Sequence, residues 1–495
     1  MGHTRSSLFR FIGLLTLGLL VSLSGAGARP SIAQSGSVSW SEPINLSNTP
    51  QDSTHPAIVA DSLGYVHVFW TEDIGGEPVQ AGRSLDTGNS IMYTFWDGKV
   101  WSPSIDIFSL PDEGVADFVA AAVDRHNTLH VVWLGQSNIY YSSAPAWQAG
   151  SARAWLPPQV VGTNGARSRW STDIATDAAG TVHVIYATGG LDAGVYYIQS
   201  RDNGTTWEAP VNLAAPLDSS EISFSNARLI TDRAGRPHAV WETNDLQGYG
   251  KAIYYARSTD GGANWDRAAQ LAYRTAAETW VEYPYLTARS ESEIHLIYIN
   301  ATNRGRAHRI SLDGGETWSE PRSILNDMEG INGYVIPLVD GLGQMHLVIN
   351  MRTRATQTGG LYYARWLGTD WSPVVPIETT ALASAHWTAA AISRGNEIHV
   401  VCDTLRTGET WYFRGAVPEV PRATVQSVPT PEPALSPMPT TAADIAAPAV
   451  VRPDRPVTTK SAPNVPDASP LIPATGAALL LIVGMAAVWM RRHQR

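Results

Sequence analysis

One ten-residue line recurs seven times along this chain and restricts its fold more than any other feature. "DSLGYVHVFW" (61–70), "DRHNTLHVVW" (124–133), "DAAGTVHVIY" (177–186), "DRAGRPHAVW" (232–241), "RSESEIHLIY" (289–298), "DGLGQMHLVI" (340–349) and "SRGNEIHVVC" (393–402) align without gaps. Their histidines are His67, His130, His183, His238, His295, His346 and His399. Most lines read as a tight turn, usually bearing Gly or Asn, that feeds a β-branched, aromatic strand. A short apolar run precedes each, such as "PAIVA" or "VAAAV". A third run follows several, as in "IYYSS", "VYYIQS", "IYYARS" and "LYYARW". Stretches of the type "WSPS", "WLPP", "WEAP", "WDRA", "WSEP" and "WSPV" then supply a fourth strand. Four strands in every ~50–60 residues is the pattern of a β-propeller.

The count also predicts how the ring closes. The last unit ends at "ETWYFRG" with no fourth strand of its own, while the chain begins with a spare "WSEP" at Trp40. The N-terminal strand therefore completes the last blade, which removes the open sheet edges that invite aggregation. The expected fold is all-β, a seven-bladed propeller of four-stranded blades, with six blades as the alternative if one unit is distorted. Charged residues at 16%, with 42 Gly, 32 Pro, 18 Trp and 18 Tyr, favour short strands and turns over long helices.

A second motif sits between third and fourth strands. "SRDNGTTWEAP" from Ser200, "STDGGANWDRA" from Ser258 and "SLDGGETWSEP" from Ser311 share Ser, Asp, Gly and Trp at fixed offsets. Ser and Asp side chains cap turn N–H groups, Gly supplies positive φ, and Trp plugs between sheets. These stretches resemble the Asp box, or BNR repeat, of the sialidase-like propellers, a resemblance covering about residues 36–415. It rests on Ser200, Asp202, Gly204, Thr206 and Trp207, and on Ser311, Asp313, Gly315, Thr317 and Trp318. The middle copy keeps Ser258, Asp260, Gly262 and Trp265 but has Asn264 in place of threonine. Remnants persist in "FWDGKVWS" (95–102) and "WLGTDWS" (366–372). The resemblance implies that the boxes mark the fold, on the side away from the ligand. The seven histidines also read as structural, because an aspartate six residues earlier recurs in five units and suggests an Asp–His clasp.

The two ends read as targeting segments. Residues 1–33 carry Arg5 and Arg10, an apolar run from Phe11 to about Leu23, and small residues that permit cleavage after Ala28 or Ala33. This is a secretion signal. Residues 416–470 are rich in Pro, Ala, Thr and Ser, a composition that forms a stalk and not a core. Residues 471–495 open on Ile472, Pro473, Ala474, Thr475 and Gly476, then an apolar stretch and a basic tail. That order resembles an LPxTG cell-wall sorting signal read by a sortase, with a plain transmembrane anchor as the alternative. Either reading displays the chain on the outer face of a bacterial envelope. A net charge of −10 excludes a basic nucleic-acid surface. The single cysteine, Cys402, excludes an intramolecular disulfide. No spacing points to a metal or a cofactor.

In propellers the first strand of each blade lines the channel, and its start, with the loop after the second strand, forms the mouth. Twelve residues before each repeat histidine stand His55, Phe118, Ser171, Asn226, Tyr283, Tyr334 and Trp387. Ten before stand Ala57, Ala120, Asp173, Arg228, Tyr285, Ile336 and Ala389. These columns break the repeat consensus. Nearby loops add Arg169, Trp170, Trp280, Glu282, Glu242, Asp73, Arg352 and Arg354. Rings that stack on sugar faces, with forked donors and acceptors for hydroxyls or a carboxylate, suit a glycan. A polar, water-filled mouth with aromatic packing is the plainer reading.

The sialidase resemblance implies an arginine clamp, a Tyr/Glu nucleophile pair and an aspartate acid. Splitting a glycosidic bond needs a proton donor and a nucleophile. Here Thr54 stands where the first clamp arginine belongs. Arg228, Arg352 and Arg354 remain as candidate clamps, with Arg169, Trp170, Trp280, Tyr334, Trp387 and Glu242 as further ligand contacts. Glu282 with Tyr283 or Tyr285 could imitate the Tyr/Glu pair, and Asp173 is the remaining catalytic candidate. The expectation is a surface-displayed propeller that recognises an extracellular glycan or glycoprotein. The alternative is an active exo-glycosidase, of sialidase type or another.

Overall fold

The computed structural model describes residues 38–425 apart from 75–87, 110–113, 164–171, 190–192, 215–222, 246, 276–279, 301–304, 331–333, 379–383 and 406. The secretion signal, most of the stalk and the sorting motif lie outside the described residues. Among the described residues, no helix is long and apolar enough to cross a membrane.

Seven antiparallel sheets follow one another along the chain, each with its first strand innermost in sequence order. Their first strands are Ser53–Ala60, Asp117–Val123, Thr172–Thr176, Ser223–Thr231, Val281–Ala288, Val335–Val339 and Ala385–Ser393, opening blades 1 to 7. This is a seven-bladed β-propeller. Blade 7 takes its outermost strand from the N-terminus, where Ser39 pairs with Ala416 and Trp40 with Gly415. The ring closes as the repeat count requires. Blade 6 carries an extra strand, Met328–Glu329, beside the far end of its second strand.

One expectation needs correcting. The "W-x-x-P" stretches are mostly not the fourth strands but the corners that lead into them. In blades 1 and 2 the fourth strands are Ile105–Ser109 and Gln159–Thr163, beginning four residues after Trp101 and Trp155. Proline lacks the N–H that a ladder needs, so pairing starts only beyond it. The tryptophans instead fill the gaps between blades. Trp207, Trp265 and Trp318 stand edge-on to Tyr141, Tyr197 and Tyr255 of the preceding blade, at 4.9, 4.7 and 5.1 Å.

The repeat histidines build the core clasp of each blade. In blade 3, His183 Nδ1 is 2.6 Å from the Tyr197 hydroxyl and its Nε2 is 3.4 Å from Asp177. Blades 1, 4 and 6 repeat this as Asp61–His67–Tyr93, Asp232–His238–Tyr255 and Asp340–His346–Tyr363. In blade 2 the Asp124–His130 contact is 3.6 Å. Ser393 replaces the aspartate in blade 7. Blade 5 departs most, with Glu293, His295 and His308 in line.

The Ser–Asp turns behave alike in all three copies. Asp202 accepts from Thr206 N at 2.8 Å and from Thr206 Oγ1 at 2.6 Å, while Ser200 Oγ accepts from Gly204 N at 2.8 Å. In the middle copy, Asn264 Nδ2 donates to Asp260 Oδ2 at 2.7 Å, so the amide takes the place of the threonine hydroxyl.

Candidate functional site

In blades 1, 2, 4 and 5 the residue twelve before the histidine lies in a β-bulge. The ladder slips between Thr54 and Ala57, Asp117 and Ala120, Ser225 and Arg228, and Glu282 and Tyr285. At each slip one non-glycine residue adopts a left-handed backbone, with φ of 52° at His55, 48° at Phe118, 49° at Asn226 and 52° at Tyr283. Such conformations are disfavoured for bulky residues and persist only where neighbours hold them. A bulge re-aims the side chain beside it.

The rings brought in by these bulges touch one another around the ring. His55 and Phe118 have centroids 3.8 Å apart, His55 and Trp387 4.6 Å, and Trp387 and Tyr334 5.1 Å. Tyr334 meets Tyr283 at 5.5 Å and Tyr285 at 6.1 Å. Arg228 then lies over the Tyr285 ring at 5.0 Å and donates to its hydroxyl at 3.4 Å. Asp173 accepts from Leu229 N at 3.0 Å, next to Arg228. Every blade thus contributes a residue from its first strand or from the position just before it.

Arg228 is half-buried, and its Nε has no hydrogen-bond partner. Asp173 spends its two oxygens on the N–H groups of Ile174 and Leu229. Among the described residues no carboxylate pairs directly with Arg228. Burial opposes the charge on Arg228, but Tyr285 and Asp173 raise its pKa overall. Burial raises the Asp173 pKa, and Arg228 counters only part of that shift.

A second tier of buried acids holds the bulges. Glu242 Oε1 accepts from Ser225 Oγ at 2.7 Å and Asn226 Nδ2 at 2.8 Å, and Oε2 accepts from Tyr283 N at 2.8 Å. Asp403 accepts from Thr54 Oγ1 at 2.6 Å, His55 N at 3.1 Å and Trp387 N at 2.7 Å. Burial, then the nearby Glu282 charge, pushes Glu242 up to about 7. Burial takes Asp403 to about 6, with His55 opposing. His55 Nδ1 is also 2.7 Å from Asp117.

Glu282 is 2% exposed and accepts from Gly250 N at 2.9 Å. Behind it Arg306, also 2% exposed, donates to the carbonyls of Gly305 and Gly330. Burial drops its pKa to about 9, while Tyr283, Tyr285 and Glu282 pull the other way.

The structure therefore gathers Asp173, Arg228, Tyr285, Tyr283, Tyr334 and Trp387 around the channel. Arg352 and Arg354 lie elsewhere: Arg352 pairs with Glu329 at 3.2 Å, and Arg354 is 3.6 Å from the same carboxylate. Trp280 stacks on Tyr249 at 5.9 Å. Arg169, Trp170 and Ser171 lie outside the described residues. Sequence reasoning missed Asp403, Arg306 and also Asn350, whose Nδ2 donates to the His386 carbonyl at 2.7 Å and to Thr388 Oγ1 at 2.9 Å. Two columns carried a signal. Four residues after the repeat histidine, Glu242, Asn350 and Asp403 stand where other units have Leu134, Ala187 or Ile299. On the third strand, Arg306 occupies a position held elsewhere by Ile91, Ile139, Val195, Ile253 and Leu361.

No protein-family model matches the sequence, and no curated protein sequence matches it. Among solved structures, a protein of unknown function from Dyadobacter fermentans is similar, with a TM-score of 0.51 at 15% identity, covering 77% of this chain and 99% of that one. The Hadza microbial sialidase Hz136 overlays at 0.44 and 15% identity, covering 74% of this chain and 66% of that one. The NanB sialidase of Streptococcus pneumoniae overlays at 0.44 and 13% identity, covering 77% and 70%. At such identities the likeness to the Dyadobacter protein speaks to fold alone.

Proposed function

We propose that this chain is a sialidase-like, Asp-box propeller displayed on a bacterial surface, which recognises an extracellular glycan or glycoconjugate at its channel mouth. One observation carries the reading. Arg228 is a guanidinium without a direct carboxylate partner among the described residues, framed by Tyr285, Tyr334 and Asp173. A half-buried guanidinium that no direct carboxylate neutralises suits an anionic group, and the partly exposed Tyr285 and Trp387 rings suit sugar faces. The three Ser–Asp–Gly–Trp turns support the Asp-box assignment. The export signal, stalk and sorting-type tail support surface display.

Binding is favoured over hydrolysis by how the acids are used. Glu242 and Glu282 are buried and spend oxygens on backbone N–H groups, and Thr54 hydrogen-bonds Asp403 where a clamp arginine would stand. Asp173 is the observation that favours the second reading, an exo-glycosidase. It is half-buried in the channel with a raised pKa, as a proton donor would be.

The test is binding and turnover by the purified full-length protein on immobilised acidic and neutral glycans and on chromogenic glycosides. Saturable binding, lost in Arg228→Met and retained in Asp173→Asn without turnover in either, establishes a receptor. Turnover abolished by Asp173→Asn establishes the enzyme. Binding unchanged in Arg228→Met removes the channel mouth as the site.

A further inference from the structure

A cleft of about 320 Å³ opens between the outer strand of blade 4, Ala269–Tyr273, and the face of blade 5. That volume is at the lower end of the ~300–1,000 Å³ of small-molecule sites. Its walls include Tyr273, Trp280, Tyr298, Arg309 and Glu320.

Three features mark it as more than a seam between blades. Tyr273 ends its strand 51% exposed, whereas the corresponding strands of blades 1, 2 and 6 end on Ser109, Thr163 and Glu378. The fold does not need a ring there. Arg309 is pinned across the cleft, donating to the Leu271 carbonyl of blade 4 and to the Ser319 carbonyl of blade 5. Carbonyls fix a guanidinium without cancelling its charge, and Glu320 stands on the same rim. Trp280, braced by stacking on Tyr249, begins the segment that runs through Val281 and Glu282 to the Tyr283 bulge. Trp280 and Val281 of the cleft wall thus lie three and two residues along the chain from Tyr283 of the mouth.

We propose that this blade 4–blade 5 cleft is a second carbohydrate subsite, holding one or two pyranose units of an acidic chain whose terminal unit occupies the mouth. Tyr273 offers its exposed ring to sugar CH groups and Trp280 adds an apolar wall, while Arg309 supplies a fixed donor and Glu320 an exposed acceptor for hydroxyl and carboxylate groups. The ligand class rests on the glycan reading of the mouth; the location does not.

The experiment uses the full-length protein and an array of uronate- and sialate-bearing oligosaccharides one to eight units long. Chains of four or more units should bind more tightly than their terminal units alone. Tyr273→Ala should erase that advantage, about tenfold, and leave binding of the shortest ligands unchanged. Tyr273→Trp should restore it, which separates stacking from damage to the fold. Arg228→Met should abolish binding at every length. Length dependence that survives Tyr273→Ala overturns the subsite and spares the mouth. Absence of binding to any chain by the unaltered protein overturns both.

Discussion

A Cβ atom added to Gly262 would lie 1.9 Å from the Tyr197 hydroxyl of the preceding blade. That hydroxyl cannot retreat, because it is tied to His183 at 2.6 Å and to Gln199 at 2.9 Å. Gly204 over Tyr141 and Gly315 over Tyr255 repeat the relationship at 2.0 and 1.8 Å. The glycine of each turn is therefore the seat for the clasp of the blade before it, and φ of +90° at Gly262 adds a second demand. Gly262→Ala should cost about 2–4 kcal/mol. Its neighbour Gly261 has φ of +70° but nothing within 4 Å. Gly261→Ala should cost only about 1 kcal/mol, the backbone share. Urea unfolding of the two variants checks the difference, and equal losses would mean that the contact is irrelevant.

That contact shows how far the sequence could be read. The seven histidines, the aspartates before them and the spare N-terminal strand are periodic, and periodicity reveals which residues share a role. Blade number and closure followed from it. Long-range partners did not, since nothing in "STDGGANW" says that its second glycine rests on a tyrosine some sixty residues earlier. The mouth was legible as columns that break the consensus at His55, Phe118 and Tyr283. Their left-handed backbone was not, because none of these residues prefers it; Asp403 and Glu242 of neighbouring blades hold the N–H of His55 and Tyr283, and Asp117 holds that of Phe118. The arginine Arg306 was visible as a charge in an apolar column, yet its role depends on where Glu282 lies after folding.

Blade 5 holds an acid-sensitive point of the ring. In the other blades the third member of the clasp is a tyrosine, which takes up no proton in acid, whereas His308 can. Burial, then His295 and Arg322, lowers the His308 pKa to about 3. The unfolded chain takes up that proton near pH 6.5, so stability is complete above that value and falls as pH drops towards about 3. His308→Tyr should flatten this part of the stability profile. Thermal melts from pH 7 to pH 4 test it. A slope as steep as that of the unaltered protein would assign the acid sensitivity to other groups, such as His399, whose pKa burial also lowers to about 3.

The Glu242–Glu282 pair acts in the opposite sense. Glu242 has a folded pKa of about 7, above the unfolded carboxylate value of about 4.3, so the folded state holds the extra proton between those limits. Stability from this group is complete below about pH 4.3 and declines as pH rises through about 7. Glu282→Gln removes the like charge and keeps an oxygen for the Gly250 N–H. It should raise the melting temperature at pH 8 relative to pH 5. An unchanged difference between the two pH values would show that burial alone sets the Glu242 pKa.

Closure can be tested without deleting the N-terminal strand. A Cβ on Gly415 would meet Val38 Cγ1 at 2.6 Å and Trp40 Cε3 at 2.8 Å, and Trp40 pairs with Gly415 across the junction. Gly415→Val should therefore evict the strand that completes blade 7 while leaving the strand it belongs to, Thr410–Ala416, with a β-favouring residue. An edge would then be open, and open edges recruit other chains. The expected outcome is a lower melting temperature, faster proteolysis ahead of Ser53, and association that grows with protein concentration. Sedimentation velocity over a concentration series decides it: a variant as monodisperse and protease-resistant as the parent would show that the inner strands hold the ring without the N-terminal strand.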